Sequence, residues 1–101
     1  PTTMYRDYAI SPTLFHWESQ STTSVDSPTG RRYLHHREMG SSILLFVRQQ
    51  KKDEMGTEPY MFLGPANYVS HAGDRPIAIT WRLEREMPMD LFAAASVAAA
   101  G

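Results

Sequence analysis

Cysteine is missing from this sequence. Its absence excludes a disulfide framework, a thiolate metal site and a cysteine nucleophile together, and it fits a cytoplasmic location. Charge of one sign is missing too: ten Lys and Arg stand against eleven Asp and Glu, for a formal net charge of −1. A global basic field for nucleic acid is thereby excluded, so any DNA contact has to come from a local patch. No apolar run approaches the ~20 residues that span a bilayer, and no secretory leader opens the chain. No membrane partner is expected. Pro1 stands in place of an initiating Met, and the chain is expected to be a segment of a longer polypeptide.

What is present is ordinary globular material. Of the 101 residues 42% are apolar and 11% aromatic, enough for one domain with a single modest core. The clearest element is 77–83. Ile77, Ile79, Trp81 and Leu83 fall on one face at a period of two, with Ala78, Thr80 and Arg82 on the other, which is a half-buried strand. The run Ile43-Leu44-Leu45-Phe46-Val47 has no polar alternation and reads as a strand covered on both faces, as in a closed barrel. Residues 51–59 read as a charged hairpin loop. Residues 60–64 return as a strand that Gly64-Pro65 breaks, and 66–71 continue it.

The first half is less regular. Ser11-Pro12-Thr13 carries a helix-start signal, so a short helix is expected before a strand at 14–18. Residues 19–30 form a long polar loop with a turn at 26–30, of a length that favours function over idle connection. A short helix is expected over 31–39, stopped by Gly40. Pro88 ends the last strand, and helical turns are expected over 90–97. The fold class that follows is mainly β: a small antiparallel β-barrel or pseudobarrel with one or two short helices, spanning 1–92, with an Ala-rich tail over 93–101.

Several segments carry a family resemblance. They are 1–11, Leu14-Phe15-His16-Trp17-Glu18-Ser19-Gln20, Thr29-Gly30-Arg31-Arg32-Tyr33, Leu44-Leu45-Phe46-Val47-Arg48, 62–71 and 76–83. Together they resemble the C-terminal domain of unknown function of bacterial DEAD/DEAH-type superfamily II helicases, often fused to a phospholipase-D-type nuclease. The likeness covers nearly the whole chain outside its Ala-rich tail. It implies that the partners are DNA and the helicase and nuclease domains of the same polypeptide, in a restriction-type defence protein. Neither a phosphate-binding Gly-rich loop nor a nuclease motif is present here, so the role left for this segment is target recognition. The layout of 33–47 is also similar to PUA-like barrels, including the EVE and SRA modified-base readers, and to plant-type DNA-binding pseudobarrels.

Within that frame the candidate DNA- and base-binding residues are Trp17, Glu18, Gln20, Tyr33 and His36. An aromatic platform stacks a base while a carboxylate or carboxamide reads its edge. Period two equally places Phe15 and Trp17 on one strand face, in which case they are core. Arg31, Arg32 and Arg37 form the basic cluster and suit phosphate, which a guanidinium binds through two donors; a solvated helix face is the plainer alternative. His35 and His36 are adjacent and diverge on either a strand or a helix, so no metal site and no cofactor are expected. A hydrolytic set assembled from His16, Glu18, Asp26 and His36 is the third reading, after DNA recognition and after a protein-interaction module docking on the helicase. No catalytic residue is assigned.

Overall fold

The computed structural model describes residues 7–48 and 60–100; the charged hairpin loop expected over 51–59 lies outside them. In chain order the elements are β1 (Tyr8–Ser11), β2 (Leu14–Glu18), α1 (Pro28–Leu34), β3 (Ile43–Arg48), β4 (Tyr60–Ala72), β5 (Ala78–Leu83) and α2 (Met89–Ala100). The five strands form one antiparallel sheet in the order β1-β2-β5-β4-β3. The mainly β architecture with two short helices therefore holds, but the sheet is not closed: β1 and β3 are its edges.

β5 lies at the centre because its alternation is complete. Ile77 and Ile79 are wholly buried, and Trp81 and Leu83 nearly so. Directly opposite residues of an antiparallel pair share a face. The pairs Phe15–Trp81 and Trp17–Ile79 thus put the aromatic side of β2 on the core face, and the pairs Tyr68–Trp81 and Ala66–Leu83 extend it across β4. Leu34 of α1 and Leu91 of α2 join the same core cluster. α2 also holds β1 through Ser96 Oγ, which donates to the Ala9 carbonyl at 3.3 Å.

The outer side of β3 departs from expectation. Leu45 and Val47 are buried, whereas Leu44 is 54% and Phe46 51% exposed. The unbroken apolar run is covered on one face only, because the sheet stays open where a barrel would have closed over it.

Three local readings are also revised. Ser11-Pro12-Thr13 is a tight hairpin turn between β1 and β2, not a helix. The carbonyls of Pro12 and Thr13 accept N–H groups of Met87 and Leu83 at 2.9 and 2.8 Å, which holds the turn against the chain after β5. The first helix starts at Pro28 rather than at 31, and ends at Leu34 rather than at 39. Ser27 is its N-cap, with Oγ accepting the Gly30 N–H at 3.0 Å, and Pro28 fills the first turn. β4 runs through Gly64-Pro65 without breaking, because Gly64 takes φ +94° and the register with β3 shifts beside it. A bulge is where a strand tolerates Pro. Among the described residues no helix is long and apolar enough to cross a membrane.

Candidate functional site

The polar loop between β2 and α1 is pinned at several points. Ser19 Oγ accepts the Ile77 N–H at 2.9 Å, Asp74 Oδ1 accepts the Val25 N–H at 2.8 Å, and the Thr23 carbonyl accepts the Arg75 N–H at 3.1 Å. These bonds tie the loop to the start of β5 and deliver α1 onto the sheet in a defined place. Gly30, buried within α1, is part of that fit. A Cβ there would collide with the Ser24 carbonyl oxygen.

Four rings meet under α1. Trp17 and Tyr33 contact edge-to-face at 5.2 Å and 85°, and their centroids lie 6.3 and 6.4 Å from Trp81. The His36 ring lies 5.9 Å from Trp81. The proposed stacking pair is therefore brought together, half-buried and packed on the core. Trp81 Nε1 is buried without a hydrogen-bond partner among the described residues. An unmet buried donor costs about 1–3 kcal/mol, so this indole is held by packing.

His36 is placed differently from the surface role expected of it. It is 2% exposed. Its Nε2 accepts the Tyr68 N–H at 3.1 Å, which leaves the ring proton on Nδ1 to donate to the Ser41 carbonyl at 3.1 Å. The reason lies in strand lengths. β3 pairs with β4 only as far as Ala66, so Tyr68 has no strand beside it on that side. The turn after α1 takes the place of β3: His36 binds the Tyr68 N–H, and Arg37 Nη2 donates to the Tyr68 carbonyl at 3.1 Å. Both ring nitrogens of His36 are thus engaged with backbone inside the fold.

Arg31, Arg32 and Arg37 are all exposed, on α1 and the turn that follows it. Gln20 is exposed at the start of the loop, and its carbonyl accepts from Ser19 Oγ at 3.0 Å. Glu18 ends β2, half-buried, and its N–H donates to Asp7 Oδ1 at 3.0 Å. Asp7 is an exposed residue, yet partial desolvation of its carboxyl against β2 raises its pKa above the ordinary carboxylate value, with the Glu18 charge adding to the rise and the Glu18 N–H bond and His16 opposing it. An acid whose pKa is raised by folding is most stabilising when protonated, and that stability is lost as pH rises through the raised value. Asp7→Asn keeps the acceptor and removes the charge. It is expected to stabilise the domain at pH 7 and to make no difference at a pH below the ordinary carboxylate value, as read by urea unfolding; an equal effect at both would contradict this.

On the β4 side of α1 lies a cleft of roughly 450 Å³ lined by Leu34, His35, Arg37, Glu38, Tyr68 and His71. The Tyr68 hydroxyl and His71 Nδ1 are 2.8 Å apart, and His35 Nδ1 and Glu38 Oε1 are 3.3 Å apart. Neither Trp17 nor Tyr33 lines it. Tyr68 and His71 were not legible as a pair, since residues three apart on a regular strand point to opposite faces. The bulge between Tyr68 and Ser70 resets the alternation, and Tyr68 and His71 pair with Trp81 and Ile79 on the core side. Among the described residues no group of three His, Asp or Glu is placed to hold a metal ion.

The fold and site define a small open-sheet domain: five antiparallel strands, a basic first helix and a cleft at its end that Arg37, Glu38 and two histidines help to line. Residues 1–95 match the domain of unknown function DUF3427, and the chain belongs to that family. No curated protein and no solved structure matches it.

Proposed function

We propose that this domain is a DNA-recognition module acting for an ATP-dependent helicase, and for a nuclease where one is fused, within the same cytoplasmic polypeptide. One observation carries the reading: a cluster of three arginines, Arg31, Arg32 and Arg37, is exposed and concentrated on α1 and its following turn. Near-neutral total charge makes a local patch of this kind the available means of holding a polyanion. Arginines there bind phosphate oxygens through paired N–H donors and fix the orientation of the duplex. Trp17 and Tyr33 are partly exposed, so a base contact falls to them beside Glu18 and Gln20. The helicase context comes from the sequence resemblance.

Replacing the two adjacent arginines (Arg31→Gln with Arg32→Gln) tests the patch. Both are exposed, so the fold is expected to survive. Duplex affinity should fall tenfold or more, and the salt slope should flatten by about two. Unchanged affinity in a fluorescence-anisotropy titration would count against the reading.

A second reading, a docking module that regulates the helicase core, is favoured by one feature. Phe46 and Phe62 lie 4.8 Å apart, about half exposed, with Leu44 beside them on the edge strand. Exposed apolar patches of this sort mark protein contacts. This reading expects no affinity for DNA.

A further inference from the structure

The cleft at the end of α1 brings Arg37, Tyr68 and His71 together. Arg37 is exposed yet anchored, because its Nη2 donates to the Tyr68 carbonyl at 3.1 Å. That contact tethers one end of the guanidinium and leaves further N–H groups for a ligand. Assigning the Tyr68 hydroxyl as donor to His71 Nδ1, 2.8 Å away, places the ring proton of His71 on Nε2 as another donor. Glu38 is the one carboxylate among the lining residues, and it is paired with His35 Nδ1 at 3.3 Å. Leu34, buried in the core cluster, supplies an apolar wall. The volume suits a small-molecule-sized group rather than a lone ion.

We infer that this cleft binds a phosphate monoester. A monoester presents three terminal oxygens and close to two negative charges at neutral pH. The guanidinium of Arg37 takes two oxygens, and the Nε2–H of His71, oriented by the Tyr68 hydroxyl on its Nδ1, takes the third. An internal phosphodiester has two non-bridging oxygens and continues past on both sides, which a flat arginine ridge serves as well as a concavity does. As to source, the inference rests on the DNA-binding reading: the ligand is then the phosphorylated end of a strand. A free mononucleotide carries the same chemistry.

The test uses the 101-residue chain and duplexes of one sequence, bearing either 5′-phosphate or 5′-hydroxyl ends, titrated by fluorescence anisotropy. In parallel, inorganic phosphate and adenosine 5′-monophosphate are titrated while the His71 ring resonances are followed by NMR. The phosphorylated duplex should bind about tenfold more tightly, as charge-assisted bonds to one additional dianion allow. That preference should vanish in Tyr68→Phe/His71→Ala, which keeps the Tyr68 ring packed on the core and whose fold circular dichroism checks. Equal affinity for both duplexes with no movement of His71 would overturn the inference, and salt-sensitive binding of both would leave the DNA reading standing. A phosphate preference that survives in the double variant would overturn it as well. Movement of His71 with inorganic phosphate or the mononucleotide, and no binding of any duplex, would support the cleft with a free source and overturn the DNA reading.

Discussion

His36→Ala is expected to lower the stability of the domain by about 3–5 kcal/mol, a large share of the 5–15 kcal/mol typical of a folded domain. Two effects add. The ring is fully enclosed against Trp81, so truncation leaves a cavity that the neighbouring rings cannot collapse into without moving. The same change strips the Tyr68 N–H of its acceptor and the Ser41 carbonyl of a donor, and an unmet buried group costs about 1–3 kcal/mol. His36→Phe separates the two effects by keeping the ring and deleting both bonds, with an expected loss of about 2 kcal/mol. Urea midpoints of the three proteins measure this. A change within about 0.5 kcal/mol for the alanine variant, the range of ordinary surface substitutions, would show that the bridge to β4 is not what holds the post-helix turn.

Gly30→Ala is expected to reverse the usual sign. In an exposed helix interior, Ala is preferred over Gly by about 0.8–1.0 kcal/mol. Gly30 lies within α1 at ordinary helical dihedrals, so nothing in its backbone forbids a side chain. Space does. The added Cβ would strike the Ser24 carbonyl oxygen and sit 3.2 Å from Ser27 Oγ. That carbonyl already accepts from Ser27 N–H at 3.1 Å and from Ser27 Oγ at 2.7 Å, while Ser27 Oγ caps the helix through Gly30 N–H. Moving it disturbs the N-cap and the loop together. The expected net loss is about 1–3 kcal/mol, the cost of overpacking a fitted site. A urea midpoint above that of the parent would mean that the loop yields freely and that α1 is not seated as described.

Which parts were legible follows from the same physics. The alternation from Ile77 to Leu83 shows itself in sequence because one strand face is buried and the other is not, and the segment 14–18 does so through Phe15 and Trp17. The start of α1 was obscured because Ser27-Pro28 serves equally as a turn and as an N-cap with Pro in the first turn. β4 was split at Gly64-Pro65 because a bulge and a chain break carry the same residues. Closure was inferred from the apolar run in β3, but hydrophobicity alone does not say whether Leu44 and Phe46 are covered by the same chain. Arg31 and Arg32 could be read as a patch since they are neighbours in sequence. His36 could not be read as a core bridge, because its partner Tyr68 is 32 residues away and depends on where β3 stops. The cleft was hidden for a related reason, since it needs the bulge after Tyr68.

The most direct measurement is the affinity of the folded domain for an unmodified duplex by fluorescence anisotropy, at low and at moderate salt. Three exposed arginines on one helix and its following turn should give binding that weakens with salt, with a log–log slope of about −2 to −3. No binding at either salt, from a domain shown to be folded, would contradict DNA recognition and shift the function to the apolar face around Phe46 and Phe62.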